Sequence, residues 1–348
     1  MERKIIFFDA KEFEQEYFDR ENKQYDFEIT YSDVRLNAQT AVLAEGHDVV
    51  CCFVNDVIDR QVIDMLQDKD VNLIALRCAG YNNVDLRAAY KSIHVVRVPE
   101  YSPFAVAEHA TALILTLNRK THRAYHRVRE GNFTINGLMG FDMHGKTVGV
   151  IGTGKIGKIF IQIMKGMGLR VLAHDPYPDE KFARSTGYEY VELDPLLAES
   201  DIISLHCPLT ESTQHLINKD TISRMKDGVM LINTGRGHLI DTNALIDGLK
   251  NRTIGAAGLD VYEEESEYFF EDFSGSFISD DALARLMTFN NVLITSHQGF
   301  FTREAIHNIA RTTMKNISAF FRDNDLDNEI CYRCEEPECV KEKEGKCW

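Results

Sequence analysis

The sequence predicts an α/β protein built from two doubly wound, parallel-sheet domains. Three observations carry that prediction. Short apolar runs rich in β-branched residues alternate along the chain with segments of helical period. One such run, Val148 to Ile151, passes through a glycine turn straight into an amphipathic segment. Successive apolar runs then end on polar residues, which a parallel sheet gathers at one edge.

Composition sets the outer limits. A chain of 348 residues is long for one core and suits two domains. Apolar residues make up 44% and charged residues 27%, as in ordinary globular proteins. The net charge of −15, with no basic run, argues against nucleic acid or an anionic membrane as partner. The N-terminal apolar run is too short for a signal peptide, and no stretch approaches a membrane span. A soluble, cytoplasmic chain is expected, with its eight cysteines mostly reduced.

The first domain should hold five strands: Ile5 to Phe8, Phe27 to Tyr31, Val49 to Val54, Leu73 to Leu76 and His94 to Val98. Asn55, Cys78 to Tyr81 and Tyr101 lie at or beyond their carboxyl ends. Ser102-Pro103 starts a helix, with Ser at the cap and Pro in the first turn. That helix should run towards Arg129, apolar on more than one face, and so be a core helix, a subunit interface, or both.

The second domain opens on Gly152-Thr-Gly154-Lys155-Ile156-Gly157. Ile156, Phe160, Ile163, Met164 and Met167 follow at helical spacing. Gly152 permits the tight turn, Gly154 a close backbone approach to a pyrophosphate, and Gly157 the packing of helix on strand. The pyrophosphate would rest on the N–H groups and dipole at the helix start. A second strand, Leu169 to His174, ends at Asp175, where a carboxylate can bind ribose hydroxyls and repel a 2′-phosphate. The cofactor expected is therefore NAD rather than NADP.

Further strands follow at Ile202 to Leu205, Gly228 to Ile232, Ile254 to Leu259 and Val292 to Thr295. They end on His206-Cys207-Pro208, on Asn233-Thr234-Gly235-Arg236, on Asp260 and on Ser296-His297-Gln298. A helix from Thr302 to about Asp323 should return to the first domain. The expected domains are residues 1–101 with 299–330, residues 102–298, and a tail from 331 to 348.

Arg236, Glu265 and His297 form the candidate reaction centre. Reduction of a ketone needs a proton donor for the developing alkoxide, and histidine suits neutral pH. A neighbouring carboxylate would orient the ring and keep its proton available. An arginine would clamp a substrate carboxylate and polarise the carbonyl. Taken singly, each residue has an ordinary reading: a loop cation, a member of the solvated acidic run Glu263 to Glu265, and a strand-end histidine.

The chain resembles the D-isomer-specific 2-hydroxyacid dehydrogenases over about residues 4–325. The resemblance rests on Arg77-Cys-Ala-Gly-Tyr-Asn-Asn-Val-Asp85, Val98-Pro-Glu-Tyr-Ser-Pro103, Ala107-Glu-His109 and the glycine loop. It continues through Ser204-Leu-His-Cys-Pro-Leu-Thr210, Asn233 to Gly237, Gly258-Leu-Asp-Val-Tyr-Glu263, Phe269-Phe-Glu-Asp272 and His297-Gln-Gly-Phe300. The last two motifs point to the lactate branch of that family.

The resemblance implies a Rossmann-like nucleotide domain, a flavodoxin-like substrate domain, and an active-site cleft between them. It implies that Arg236, Glu265 (rather than Glu263) and His297 are catalytic. His297 would protonate the carbonyl oxygen of pyruvate. Asp260 and the Thr234 to Arg236 loop would flank the nicotinamide, and Cys207, Pro208 and Thr213 would line the cofactor cleft. Backbone at Cys78, Ala79 and Gly80 would receive the substrate carboxylate. Tyr101, Phe53 and Phe300 would either wall the side-chain pocket or simply pack in the core. A homodimer through the nucleotide domain, or a tetramer, is implied as well.

The expected activity is NADH-dependent reduction of pyruvate to D-lactate. Other readings are a dehydrogenase for larger 2-keto acids, such as phenylpyruvate or 2-ketoisocaproate, and an NAD-sensing corepressor-like scaffold. Formate dehydrogenation is disfavoured, because its branch carries Gln where Glu265 stands. Two features depart from the family. Gly299 replaces a more usual Ala, and the tail Cys331-x2-Cys334-x4-Cys339-x7-Cys347 has no counterpart. Such cysteine density admits a zinc or iron–sulfur site. The spacing matches no standard pattern, and the intervening lysines and glutamates favour a solvated tail, so no metal is assigned.

Overall fold

The computed structural model describes residues 3–322, 325–335 and 347. The chain divides into two compact units, residues 1–102 with 302–348, and residues 103–301.

The first unit begins with β1 (Lys4–Phe7), α1 (Glu12–Asn22), β2 (Glu28–Tyr31), β3 (Val49–Cys52) and α2 (Arg60–Gln67). It continues with β4 (Leu73–Leu76), α3 (Leu86–Ala89) and β5 (His94–Val96). The strands form one parallel sheet in the order β2-β1-β3-β4-β5. β3 and β4 are buried along their whole length, which explains their uninterrupted apolar sequence.

The second unit opens with α4 (Pro103–Arg119) and α5 (Thr121–Arg129). The single helix expected to reach Arg129 is in fact two. Lys120 adopts the left-handed conformation, φ +51°, and breaks the run between Arg119 and Thr121. α4 packs on α6 and on β10, β11 and β12, so its several apolar faces are core faces.

The unit continues with β6 (Thr147–Ile151), α6 (Lys155–Gly166), β7 (Arg170–His174), α7 (Glu180–Thr186), β8 (Glu189–Tyr190) and α8 (Leu193–Glu199). Then come β9 (Ile202–Leu205), α9 (Lys219–Ser223), β10 (Val229–Asn233), α10 (Thr242–Asn251), β11 (Ile254–Leu259), α11 (Asp281–Thr288) and β12 (Val292–Ile294). All seven strands are parallel, in the order β12-β11-β10-β9-β6-β7-β8. Alternate residues feed opposite faces: Ile203 and Leu231 join one core cluster, while Ile202, Met230 and Ile232 join the other.

The last long helix, α12 (Arg303–Phe321), belongs to the first unit and packs on α1 and β4. Thr302 caps it, its hydroxyl accepting from the Ala305 amide at 3.3 Å. Residues 299–301, expected with this helix, instead stay with the second unit. The Gly299 amide donates to Asp260 at 2.7 Å, and Phe300 packs beside Phe270.

The tail also differs from its expectation. Cys331 and Cys347 are buried, Tyr332, Arg333 and Cys334 are half-buried, and Ile330 just before them joins the core of the first unit. Among the described residues, no helix is long and apolar enough to cross a membrane.

Candidate active site

The order of the seven-stranded sheet reverses at β6, between β9 and β7, and ligands of such sheets bind at the carboxyl ends beside that point. The glycine loop leaves β6 there. Gly152 has φ +94°, and a Cβ on it would come within 2.5 Å of the Cys207 amide nitrogen, so only glycine closes this turn. A Cβ on Gly157 would strike the Gly152 carbonyl, which fixes how closely α6 approaches β6. A Cβ on Gly154 would meet nothing within 4 Å, so the start of this 12-residue helix borders open space.

Asp175 follows β7 and bends back over the loop. One of its oxygens accepts from the Thr153 amide at 2.6 Å and the Thr153 hydroxyl at 2.9 Å, and the other from the Tyr177 amide at 2.9 Å. Partial burial pushes this carboxyl upward. The amides of Thr153 and Tyr177 outweigh that and hold it below the usual carboxylate range, so it is ionised at neutral pH.

Cys207 follows β9 and touches the glycine loop through Gly152. Its thiol is pushed up to about 11 by burial, so it is neutral. Thr213 ties its own loop by donating to the Pro208 carbonyl at 2.7 Å and accepting from the Thr210 amide at 2.7 Å. After β10, buried Asn233 organises the next loop. Its side chain accepts from the Gly235 amide at 3.0 Å and donates to the Arg236 carbonyl at 2.9 Å. The Thr234 hydroxyl in this loop is buried with no hydrogen-bond partner among the described residues. An orphaned hydroxyl and an open helix start fit a dinucleotide along this edge.

His297 and Glu265 meet. The His297 Nδ1 lies 2.8 Å from one Glu265 oxygen, and the other accepts from the Tyr262 amide at 3.0 Å. A carboxylate only accepts, so Nδ1 carries the proton and Nε2 is left for chemistry. Both side chains are about one-fifth exposed, enough to be reached and little enough to be held. Glu263 is committed elsewhere, bonding His215 at 2.7 Å and the Thr242 amide at 2.9 Å. The acidic run is therefore two staples rather than a solvated loop.

Arg236 comes to the same edge. Gly237 packs so closely on the Tyr262–Glu263 backbone that a Cβ would collide with it, which joins the arginine loop to the glutamate loop. The Arg236 guanidinium donates to the Gly235 carbonyl at 2.8 Å.

Asp260 is 1% exposed, and what it does here is hold the His297 loop. Its carbonyl accepts from the His297 amide at 2.7 Å. Its carboxylate accepts from the Gln298 amide at 2.9 Å, the Gly299 amide at 2.7 Å and the Thr295 hydroxyl at 2.5 Å. His109 of α4 joins this group, 3.2 Å from Asp260 and 3.0 Å from Thr295. Asn233, His109 and Thr295 stood in motifs or at strand ends of the sequence, but their positioning roles rest on contacts between distant segments. Phe270, in the quoted Phe-Phe-Glu-Asp motif, lies with its ring 6.1 Å from the His297 ring and 6.5 Å from that of Phe300.

The remaining expected residues lie in the first unit. The carbonyls of Cys78, Ala79 and Gly80 accept from the Val98 amide, the Arg97 guanidinium and the Cys78 thiol. Phe53 is buried, with the Arg77 guanidinium 5.0 Å from its ring centre. The Tyr101 carbonyl accepts from Asn308 at 2.7 Å.

A doubly wound sheet with a glycine turn at its switch point, an acid after the second strand, and a histidine–carboxylate pair on the same edge defines a dinucleotide-dependent dehydrogenase. Residues 111–299 match the D-isomer specific 2-hydroxyacid dehydrogenase, NAD binding domain. The chain is 52% identical to a 2-hydroxyacid dehydrogenase homolog of Haemophilus influenzae over 90% of its length and 95% of that protein. It is 49% identical to the D-lactate dehydrogenase of Escherichia coli, over 94% of its length and 99% of that protein. A solved pyruvate reductase of Chlamydomonas reinhardtii superposes with a TM-score of 0.89 at 46% identity, covering 94% of this chain and 98% of that one. The chain belongs to the D-isomer-specific 2-hydroxyacid dehydrogenase family, and NAD is its cofactor.

Proposed function

We propose that this protein reduces pyruvate to D-lactate with NADH, reversibly, and so regenerates NAD+. The observation that carries the reading is the His297–Glu265 pair, 2.8 Å apart at the loaded edge of the NAD-binding unit. When bound, NADH supplies the hydride. Gly152, Gly154, Lys155, Ile156 and Gly157 would hold its pyrophosphate, and Asp175 its ribose. Cys207, Pro208, Thr213, Thr234, Gly235 and Asp260 would border the rest.

His297 gives the proton on Nε2 to the carbonyl oxygen as that oxygen gains charge, while Glu265 compensates the doubly protonated ring. Arg236 clamps the carboxylate and polarises the carbonyl. Backbone at Cys78, Ala79 and Gly80 is the further group assigned to the carboxylate. In lactate oxidation neutral His297 takes the proton back. Phe53, Tyr101 and Phe300 are the residues assigned to the side chain of the substrate.

A homodimer through the nucleotide unit is part of this proposal. α5 buries none of its residues, and Tyr125, Val128, Phe133, Ile135 and Met139 are all at least half exposed. Apolar area of that density calls for a partner surface. Because NAD+ regeneration serves reactions drawing on the same nicotinamide pool, the proposal places the protein in the cytoplasm.

The deciding experiment is a panel of 2-keto acids with chiral analysis of the products. Pyruvate should give the highest kcat/KM and D-lactate the only product. Faster turnover of phenylpyruvate or 2-ketoisocaproate would move the assignment to a larger substrate. No NADH oxidation with any of them would indicate a binding scaffold.

A further inference from the structure

The first unit ends in a thiol cluster that pyruvate reduction does not use. After α12 the chain returns along the sheet edge formed by β5. The Arg97 amide donates to the Asn328 carbonyl at 3.1 Å, Glu329 forms an antiparallel bridge with Val96, and the Ile330 amide donates to Val95 at 2.8 Å. Cys331 follows at once. A single 3-10 turn, Tyr332–Glu335, folds Cys334 back on it, leaving the two sulfurs 4.0 Å apart. The Cys334 sulfur accepts from the Cys331 amide at 3.3 Å. The sulfur of Cys347, fully buried, completes a triangle whose members all lie within 4.8 Å of one another.

We propose that Cys331, Cys334 and Cys347 bind a soft divalent metal ion, zinc first of all, in a thiolate site that clips the C-terminal segment to the edge of the five-stranded sheet. A tetrahedral zinc site with bonds of about 2.3 Å sets its sulfurs about 3.8 Å apart, close to the 4.0 Å between Cys331 and Cys334. A disulfide needs sulfurs about 2.05 Å apart, would join only two of the three, and would leave the third thiol buried without chemistry. Three converging thiols select a soft ion over magnesium or calcium.

The surroundings support ligation. Glu329 is buried, with one oxygen 2.6 Å from His94 Nδ1 on β5 and the other accepting from the Cys347 amide at 3.3 Å. A hydrogen-bonded carboxylate thus orients the backbone of one ligand, as outer partners of metal sites do. Arg87 and Arg333 stack on Tyr332 at 4.7 and 5.6 Å and hold the turn between the first two cysteines. Binding would displace the thiol protons and add its free energy to that of folding. It would also fasten residues 328–330 over β5, which is the edge strand of its sheet. Cys339 lies outside the described residues, so the source of the fourth ligand is left to experiment.

The full-length chain, purified reduced and without chelator, should retain stoichiometric zinc by elemental analysis. Exchange for cobalt(II) should give thiolate-to-cobalt charge-transfer absorption. Cys331→Ser, Cys334→Ser and Cys347→Ser should each abolish both signals, and Cys334→Ser should still reduce pyruvate at low temperature. Serine at a buried position can prevent folding, so the wild-type chain is also stripped with a chelator. Its melting temperature should fall and recover on zinc addition. Cys339→Ser that weakens the metal without abolishing it fits the three-thiolate site. A folded, reduced wild-type chain that takes up neither ion would overturn the proposal. So would a Cys331–Cys334 disulfide in metal-free protein, iron with labile sulfide, or metal lost in Cys339→Ser but kept in Cys331→Ser.

Discussion

The Nδ1 of His297 and one oxygen of Glu265 lie 2.8 Å apart, and the Tyr262 amide holds the other oxygen at 3.0 Å. His297 itself sits at φ +51°, a conformation uncommon for a side-chain-bearing residue. The Asp260 carbonyl and carboxylate fix the backbone on either side of it. The ring is therefore restrained through both its backbone and its Nδ1, with Nε2 left to the substrate.

Replacing His297 by Gln removes the group that moves the proton and keeps much of the volume. Turnover with pyruvate should fall by roughly 10²–10⁴. NADH affinity, measured by fluorescence titration, should change little, because the expected cofactor contacts lie on other strands. Near-normal turnover would assign the proton to another residue.

Glu265→Gln leaves one acceptor oxygen for two donors, the Tyr262 amide and the His297 Nδ1–H. The doubly protonated ring also loses its counter-charge. Reduction needs that charged ring and oxidation the neutral one, so the basic limb of pyruvate reduction should move to lower pH. The acidic limb of lactate oxidation should move down with it. Rate profiles at saturating cofactor in both directions test this. A uniform loss of rate with both limbs unmoved would make Glu265 a positioning residue only.

Asp175 is ionised and lies against the glycine loop through Thr153. Its charge should exclude a 2′-phosphate. Asp175→Ala should lower kcat/KM for NADH and raise it for NADPH, narrowing the preference by at least tenfold. An unchanged ratio would place cofactor selection elsewhere. Because the Thr153 amide also loses its acceptor, a melting curve should accompany the kinetics.

What local pattern encodes was legible in the sequence, and what depends on distant packing was not. The strands leading to Cys207, Asn233 and Asp260 are apolar because both faces of their sheet are covered, so their positions could be read directly. β8, only Glu189–Tyr190, is too short to show a period. The break at Lys120 has no glycine or proline to announce it. Arg236, Glu265 and His297 were nameable as strand-end residues. That His297 and Glu265 touch, with Phe270 beside them, follows from how three loops fold over one edge. The burial of Cys347 likewise depends on Glu329 and the edge of β5, which spacing within the tail does not encode.

Arg77 is fully buried and pairs with Glu14, both of whose oxygens lie 3.0 Å from its Nε. It also donates to the Asp9 carbonyl at 2.7 Å, so it ties α1 to the ends of β1 and β4. Glu14→Gln would take from a buried guanidinium the carboxylate that bonds it and weaken the acceptor for the Lys11 amide at the start of α1. Removing one member of a buried pair costs about 3–5 kcal/mol. Denaturant unfolding should show a loss of that order, and a loss below 1 kcal/mol would mean that water reaches the pair.

His206 gives the nucleotide unit a pH-dependent stability. Its Nε2 lies 2.9 Å from the Ser204 hydroxyl and its ring 4.8 Å from that of Phe160. Burial pushes it from the ordinary 6.5 down to about 3, so it stays neutral in the folded chain at all but strongly acidic pH. Between those values the unfolded chain binds a proton that the folded chain refuses. Stability from this residue is therefore present above about pH 6.5 and lost as pH falls toward 3. One proton accounts for a slope of at most about 1.4 kcal/mol per pH unit. His206→Asn keeps a polar partner for Ser204 but cannot titrate. Urea unfolding of both proteins at pH 7, 6 and 5 on the order of these steps should give wild type the steeper decline, with carboxylates contributing equally to each. Parallel declines would show that the His206 ring reaches water and charges in the folded state.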